Sequence, residues 1–199
     1  MSAASQHDAW VQVAESYVKA CFFGHEIEVY PLAQLVHAAD GSGRSFPDVR
    51  VLRIAPRGER DFWIYVSAGA STRAVDKQQR LEFFTLAPLH DYAHVENMTV
   101  LIYYQLASNR ALAQGHVCPI GRAWVKGSNL DHFLISYANP IRNELEFVHS
   151  NLGCIKFYWA QPIHSEEAKF LRTSEIAQLE EAFERASINI VGLMRDPVV

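Results

Sequence analysis

The sequence predicts an α+β (mixed α/β) fold in which helices flank a largely antiparallel central sheet. Two observations carry this prediction. Apolar stripes of helical period occur near both ends of the chain, and short β-branched or aromatic segments bounded by Gly and Pro dominate the interval between them. The chain has 199 residues, 49% hydrophobic and 12% aromatic, which suits one globular domain over residues 1–199.

Charge and cysteine content argue against a nucleic-acid-binding, secreted or membrane-spanning protein. Lys and Arg number 18 against 22 Asp and Glu, for a net charge of −4, and no basic stripe typical of nucleic-acid binders is present. The N-terminus lacks the pattern of a secretory signal, and the apolar runs are too short to span a membrane. Three widely spaced cysteines without a CxxC pair fit a reducing compartment. We therefore expect a cytoplasmic protein that binds neither nucleic acid nor membrane.

The first segment, residues 1–24, is predicted to be an N-terminal helix. Asp8 is a candidate N-cap, and Gly24 is the expected stop. Between them, six apolar residues recur with helical spacing and form one stripe. The stripe consists of Trp10, Val13, Ala14, Tyr17, Val18 and Cys21.

Four strands are predicted next, because each segment is apolar, β-branched or aromatic and ends near Gly or Pro. They are residues 26–32, 48–55, 61–68 and 80–87. The third is apolar on both faces and is expected to lie inside the sheet. The polar segment 57–60 suits a hairpin, and the Gly/Ser-rich segment 40–47 suits a loop.

The second half of the chain is predicted to contain two more helices and four returning strands. Residues 95–106 fit either a helix or a buried strand, and we favour the helix. A last helix is expected from the cap Ser165 to Ala186, with acidic residues in its first turn. The returning strands are predicted at 116–119, 131–138, 144–150 and 153–162, and an apolar tail at 188–194 is expected to pack on the sheet.

The segment Ser67-Ala-Gly-Ala-Ser71 follows the aromatic strand and contains two hydroxyls. A nucleophile elbow requires Gly-x-Ser-x-Gly, whereas here the order is Ser-x-Gly-x-Ser. We therefore expect a geometric role. Gly69 would permit an unusual backbone angle, and the two hydroxyls would satisfy neighbouring backbone groups.

Glu82 interrupts an apolar strand, where an unpaired carboxylate would be costly. Arg80 lies on the same strand face, so a surface ion pair is the simpler interpretation. The alternative is a buried carboxylate that holds backbone or serine groups of the Ser67–Ser71 turn.

Histidines offer a possible metal site. His90 and His94 would share one helix face, and His116 would share a strand face with Cys118. A metal needs further ligands, and the Glu of an HExxH motif is missing because Asp91 follows His90. We expect ordinary structural roles for these residues, with a metal-binding protein or small hydrolase built on the histidines as the alternative.

Five segments stand in a fixed order along the chain: PDVRVLRIAPRGERDFWIYVSAGAS (47–71), RLEFFTLAP (80–88), GHVCPIGRAWVKGSNLDHFLIS (115–136), IKFYWAQPIHSEE (155–167) and INIVGLMRDPVV (188–199). In this order they resemble the suppressor-of-fused-like family over residues 25–199. Ala70 stands where the family often has Met, and His164 stands where it often has Thr ahead of Glu167, which would move the helix cap to Ser165.

The resemblance implies a non-enzymatic protein-binding module without catalytic residues, cofactor or metal. Single-domain bacterial members resemble immunity proteins that neutralise a toxin encoded nearby, so such a toxin is the expected partner, and an adaptor unrelated to toxins is the alternative. Tyr65 and Trp124 are expected to be exposed aromatic anchors for the partner. The family-pattern positions, expected to be largely structural, are Asp48, Ser67, Gly69, Ser71, Glu82, Gly121, Trp124, Pro162 and Glu167.

Overall fold

The fold is given by a computed structural model that describes residues 3–32, 49–75, 79–107, 111–141 and 143–199. Asp48 and the predicted loop 40–47 lie outside the described residues. The helices are α1 (Ala3–Cys21), α2 (Tyr92–Ala107), α3 (Ser165–Phe170) and α4 (Ile176–Arg185). The strands are β1 (Ile27–Pro31), β2 (Arg50–Ile54), β3 (Trp63–Ala68), β4 (Gln79–Ala87), β5 (Val117–Pro119), β6 (Leu130–Ser136), β7 (Phe147–Ser150) and β8 (Gly153–His164).

The eight described strands form one sheet in the order β1-β2-β3-β4-β8-β6-β5, and β7 pairs with the start of β8. The β4–β8 pair is parallel, and the other described pairs are antiparallel. The expected α+β class with a largely antiparallel sheet is therefore confirmed. β1 and β5 are the terminal strands of this order, so they lie at opposite edges of the sheet.

Helices cover both faces of the sheet. One core cluster joins α2 to alternate residues of β3 and β4, such as Met98 with Tyr65 and Phe83. The second cluster joins α1 to the alternate residues facing the other way, such as Val18 with Val66 and Phe84. A smaller cluster packs α3 and α4 against β6 and β8. Strand periodicity thus places successive side chains in different cores.

Two helix boundaries differ from the predictions. α1 begins at Ala3, so Asp8 lies within it; the prediction overlooked that Ala3 and Ala4 are strong helix formers. The expected single helix to Ala186 is two helices, because α3 ends at Phe170 and Glu175 caps α4. Thr173, between them, donates its hydroxyl to the Phe170 carbonyl, a local bond that competes with helix continuation.

The remaining elements match the predictions. The ambiguous segment is the helix α2, and a bridge between Arg57 and Arg60 closes the predicted hairpin. Of the apolar tail, Leu193 joins the core cluster that contains α2, whereas Met194 is exposed. None of the described helices has both the length and the apolar character needed to cross a membrane.

Candidate functional site

Glu82 organises the turn that follows β3. Its carboxylate accepts hydrogen bonds from the backbone N–H groups of Gly69 at 2.7 Å, Ala70 at 3.3 Å and Ser71 at 3.0 Å. The Ser71 hydroxyl donates to it at 2.6 Å, and the Ser67 hydroxyl donates as well. Burial raises the pKa of Glu82, and the serine and backbone donors oppose that rise. The carboxylate therefore acts as the acceptor that shapes this turn.

The turn requires glycine at position 69. Gly69 has φ +134°, a backbone conformation that residues with a Cβ rarely adopt. A Cβ added there would also lie 2.9 Å from Val49 Cγ2 and 3.0 Å from Val49 Cα. The short 3-10 turn Ala70–Thr72 follows directly and is buried at Ala70 and Ser71. Gly69 therefore has a geometric role, as expected: it allows the positive φ and the close approach to Val49.

The simpler interpretation of Glu82 was wrong. Arg80 does not pair with Glu82; its guanidinium donates to the carbonyl oxygens of Ser71 and Thr72 and lies 4.3 Å from the Trp10 ring centre. Both residues thus hold the same turn from different sides. Because Glu82 and both serines are fully buried, they offer no nucleophile to a substrate.

Tyr65 and Trp124 are not exposed anchors, which corrects the expectation from sequence. Both are 0% exposed. They meet at His94, whose ring lies 4.9 Å from that of Tyr65 and whose Nδ1 accepts the Trp124 indole N–H at 3.1 Å. Apolar rings of this size gain more from burial beside α2 than from exposure.

His94 is held in its neutral form by its surroundings. Burial lowers the pKa of His94 to about 4 from an ordinary value of 6.5, although the charge of Asp91 opposes the shift. A folded-state pKa below the unfolded value stabilises the fold above pH 6.5, and this contribution is lost as the pH falls towards 4. Acid should therefore destabilise the α2–Trp124 contact.

We expect His94→Gln to be less sensitive to acid than the wild-type protein, because glutamine keeps an acceptor but does not titrate. Between about pH 8 and about pH 4.5, the wild type should lose about 2.5 kcal/mol more free energy of unfolding than the variant. Urea denaturation of both proteins at both pH values measures this difference. Equal acid losses would show that folding does not lower the pKa of His94.

The segment 121–129 is anchored to α2 by polar contacts. Asn97 Nδ2 donates to the Trp124 carbonyl at 2.8 Å, and Arg122 donates to Asn97 Oδ1 at 2.9 Å and pairs with Glu96 at 2.8 Å. Gly121 has φ +82°, which explains glycine at the entry of this segment. The family-pattern residues Gly121 and Trp124 therefore set the path of one loop.

Glu167 is a second buried carboxylate with several donors. It accepts two hydrogen bonds from the Arg195 guanidinium, at 2.5 and 2.7 Å, and one from the Val198 N–H at 3.2 Å. It also accepts the backbone N–H of His164 at 2.9 Å. His164 is thus the N-cap of α3, and the predicted shift of the cap to Ser165 was wrong. The imidazole of His164 binds the Arg195 carbonyl at 2.9 Å and further fixes the C-terminal segment.

Pro162 lies within β8 at a position that tolerates the loss of an N–H. The described β4–β8 pairing ends at Trp159, three residues earlier, while Pro162 is paired with Phe133 on the other side. Proline is normally confined to strand positions without a ladder bond on its N–H side. Pro162 lies two residues before His164, the N-cap of α3.

Two clefts lie between the α3 region and the sheet edge formed by β5. The larger, about 690 Å³, is lined by some residues of the segments 119–123 and 128–132, by the segment 164–166 and by Pro197. The smaller, about 470 Å³, is lined by the segment 115–119 and by His132, Ala168, Leu171 and Arg172. Pro119 and His132 line both clefts, so together they form one groove along the edge strand. We call it the β5 groove.

A β-bulge presents two polar side chains to the β5 groove. The β6–β8 register shifts between Leu130 and His132, and Asp131 Oδ1 lies 2.7 Å from His132 Nδ1. Neighbouring strand residues normally point to opposite faces, so the bulge is what allows this contact. Glu166 adds a carboxylate at the rim, and its pKa is lowered because it accepts its own backbone N–H and the Ser165 hydroxyl.

The Cys118 thiol and the histidines near the groove were candidates for chemistry. Burial raises the pKa of the Cys118 thiol to about 11, which makes it a poor nucleophile near neutral pH. Within the described residues, no three His, Cys, Asp or Glu side chains converge on a possible metal position. His90 accepts a hydrogen bond from the Arg53 guanidinium at 2.6 Å, whereas His94 accepts one from the Trp124 indole. The two histidines therefore have different partners.

Sequence reasoning identified the framework of the site but missed its surface. The predicted Ser67–Ser71 segment and Glu82 come together as one turn, and Gly121 lines the β5 groove. Asp131 and His132 were overlooked because adjacent strand positions predict opposite faces. The doublet of polar residues at the start of an apolar strand was the available signal for a bulge.

Comparison with protein families identifies the chain's relatives. A model of the family described as "Suppressor of fused protein (SUFU)" matches residues 47–196, about three quarters of the chain. The match includes the Glu82 turn, the β5 strand and Arg195. None of the curated proteins compared with the chain matches it significantly.

Solved structures share the fold. A SUFU (suppressor of fused protein) homologue from Neisseria gonorrhoeae FA 1090 superposes with a TM-score of 0.79 at 28% identity, covering 96% of this chain and 98% of the homologue. The structure of a Sufu–Fu complex contains a chain that superposes with a TM-score of 0.67 at 11% identity, covering 95% of this chain and 92% of that one. At that identity, the second likeness concerns the fold alone.

Proposed function

The chain belongs to the suppressor of fused protein (SUFU) family, and on that premise we propose that it is a non-enzymatic protein-binding module whose partner docks in the β5 groove. One observation carries the proposal. The terminal strand β5 runs along two adjoining clefts that share Pro119 and His132. A terminal strand beside pockets suits an extended segment, because the backbone aligns it and the pockets select its side chains.

The chemistry of the groove favours a partner segment with polar side chains. Arg122 and Arg172 offer cations, and Asp131 and Glu166 offer carboxylates. Pro119 supplies no N–H, and its carbonyl already accepts the Tyr104 hydroxyl at 3.0 Å. The partner would therefore depend on side-chain contacts as well as on the strand edge. The Sufu–Fu structure is a complex of that relative with Fu, which supports a protein partner here.

We further propose that the partner is a toxin and that this chain is an immunity-type inhibitor acting in the cytoplasm. The net charge of −4 is compatible with a basic partner, since opposite charges favour encounter. An inhibitor of this kind needs only to cover the toxin surface. That requirement agrees with a rigid framework in which the carboxylates Glu82 and Glu167 are fully buried.

A tagged pull-down from the host lysate, followed by mass spectrometry, identifies the partner. Titration calorimetry then compares the wild type with His132→Ala and Arg172→Ala, which alter the shared wall and the α3 side of the groove. We expect each variant to bind about tenfold more weakly, as for a residue central to an interface. Phe23→Ala changes a 90% exposed ring outside the groove and should bind normally. Unchanged binding by both groove variants would place the partner elsewhere.

Co-expression separates the toxin proposal from the more general one. If the identified partner stops growth when expressed alone, this chain should restore growth and His132→Ala should restore it less. A partner that does not affect growth would rule out the immunity role and favour an adaptor. Absence of any partner for the folded protein would contradict the binding proposal itself.

A further inference from the structure

A second aromatic surface lies at the edge of the sheet opposite the β5 groove. It consists of Tyr30, Trp63 and Tyr92, which we call the β1 patch. Tyr92 is 46% exposed, while Tyr30 and Trp63 are half-buried. The rings of Tyr30 and Tyr92 lie 5.9 Å apart at an interplanar angle of 65°. Aromatic residues in such a cluster are enriched at protein interfaces.

The largely buried Arg53 side chain connects residues of the β1 patch. Its guanidinium lies 4.8 Å from the Trp63 ring centre, donates to His90 and pairs with Glu28 at 2.7 Å. The Tyr30 hydroxyl donates to the same Glu28 at 2.8 Å. The Arg53 side chain is 10% exposed, so its charge is largely withdrawn from the surface. The rings are therefore held in place before any partner arrives.

Exposed carboxylates lie beside the β1 patch. The side chains of Glu26 and Glu28 are 75% and 48% exposed, and Asp91 is exposed at the start of α2. Glu26 lies 3.5 Å from Arg53, a long contact that leaves its carboxylate able to accept other donors. Because Arg53 is the buried member of these ion pairs, the negative charges of Glu26 and Glu28 are the ones accessible to a partner. They attract cationic side chains.

From this geometry we propose that the β1 patch is a second docking surface that takes an arginine-bearing segment of a partner protein. A guanidinium can stack on the exposed Tyr92 ring and donate at the same time to Glu26 or Asp91. Lysine offers no planar group for stacking, and an acidic segment would be repelled. This surface lies apart from the β5 groove, so the inference does not depend on the function proposed for that groove.

Trp63 provides a built-in reporter for this surface. The chain has four tryptophans, and Trp10, Trp124 and Trp159 are buried. Titration with a short arginine–glycine–serine peptide should therefore change tryptophan fluorescence saturably, and Trp63→Phe should abolish the change. The matched peptide with glutamate in place of arginine should produce none.

Variants test the individual contacts. Tyr92→Ala should weaken binding of the arginine peptide about fivefold, as expected for loss of a cation–π contact. Glu26→Gln should weaken it to a similar extent and reduce its dependence on salt. Phe23→Ala is the control for an exposed ring and should bind like the wild type. The proposal is overturned by an absent fluorescence change, by equal binding of the acidic peptide, or by wild-type affinity in both patch variants.

Discussion

Replacing Glu82 with alanine is expected to lower the free energy of unfolding by about 4 kcal/mol. The carboxylate accepts hydrogen bonds from two serine hydroxyls and three backbone N–H groups in a fully buried turn. Alanine would leave these donors without their acceptor, and each buried unsatisfied group costs about 1–3 kcal/mol without strict additivity. The turn also contacts α1, α2 and β4, so its loss would disturb both faces of the sheet.

Urea denaturation followed by circular dichroism measures this effect. Glu82→Gln should lose less than Glu82→Ala, because the amide keeps one oxygen acceptor, although its NH₂ group now faces a donor. Glu181→Ala removes an exposed carboxylate from α4 and should change stability by less than about 0.5 kcal/mol. If Glu82→Ala were as mild as this control, the turn would not depend on its carboxylate.

Local patterns in the sequence were sufficient for much of the fold. The stripe from Trp10 to Cys21 predicted α1, and the aromatic segment around Tyr65 predicted an interior strand. These elements follow from periodicity and from Gly and Pro boundaries, which are properties of neighbouring residues. The class of fold followed from their order along the chain, because alternating helices and short strands permit few layered arrangements.

Contacts between distant segments could not be predicted in the same way. The ion-pair interpretation of Glu82 used residues on its own strand, whereas its partners belong to the end of β3 and the turn that follows. Tyr65 and Trp124 were expected at the surface, yet both are buried against His94. Sequence alone gives neither the packing of α2 over the sheet nor the bulge that pairs Asp131 with His132. Such features depend on which elements become neighbours.

The two buried carboxylates, Glu82 and Glu167, stabilise different parts of the fold. Glu82 holds a turn near the middle of the sheet, whereas Glu167 joins α3 to the C-terminal segment beside the β5 groove. His164 and Pro197 line the larger cleft, and both belong to the Glu167–Arg195 region. The shape of the groove should therefore depend on the second carboxylate more than on the first.

Replacing Arg195 with methionine is expected to lower the free energy of unfolding by about 3 kcal/mol. Arg195 donates two hydrogen bonds to Glu167, which is fully buried. Without Arg195, the Glu167 carboxylate keeps only the backbone N–H donors of His164 and Val198 among its described partners. Methionine keeps an apolar side chain in place of the arginine stem, while the guanidinium, whose Cζ lies 5.0 Å from the Phe183 ring centre, is lost. The loss should therefore arise from the unpaired charge rather than from a cavity.

The double variant Glu167→Gln with Arg195→Met separates these causes. Because glutamine is neutral and can still accept the His164 N–H, the double variant should recover more than half of the stability lost by Arg195→Met. Arg172→Met, at an exposed position after α3, is the matched control and should be nearly neutral. No recovery in the double variant would mean that the fold needs the arginine itself. In that case the two hydrogen bonds from Arg195 to Glu167 would hold the C-terminal segment in place. Because this segment lines the groove, Arg195→Met and the double variant should then both bind the partner more weakly.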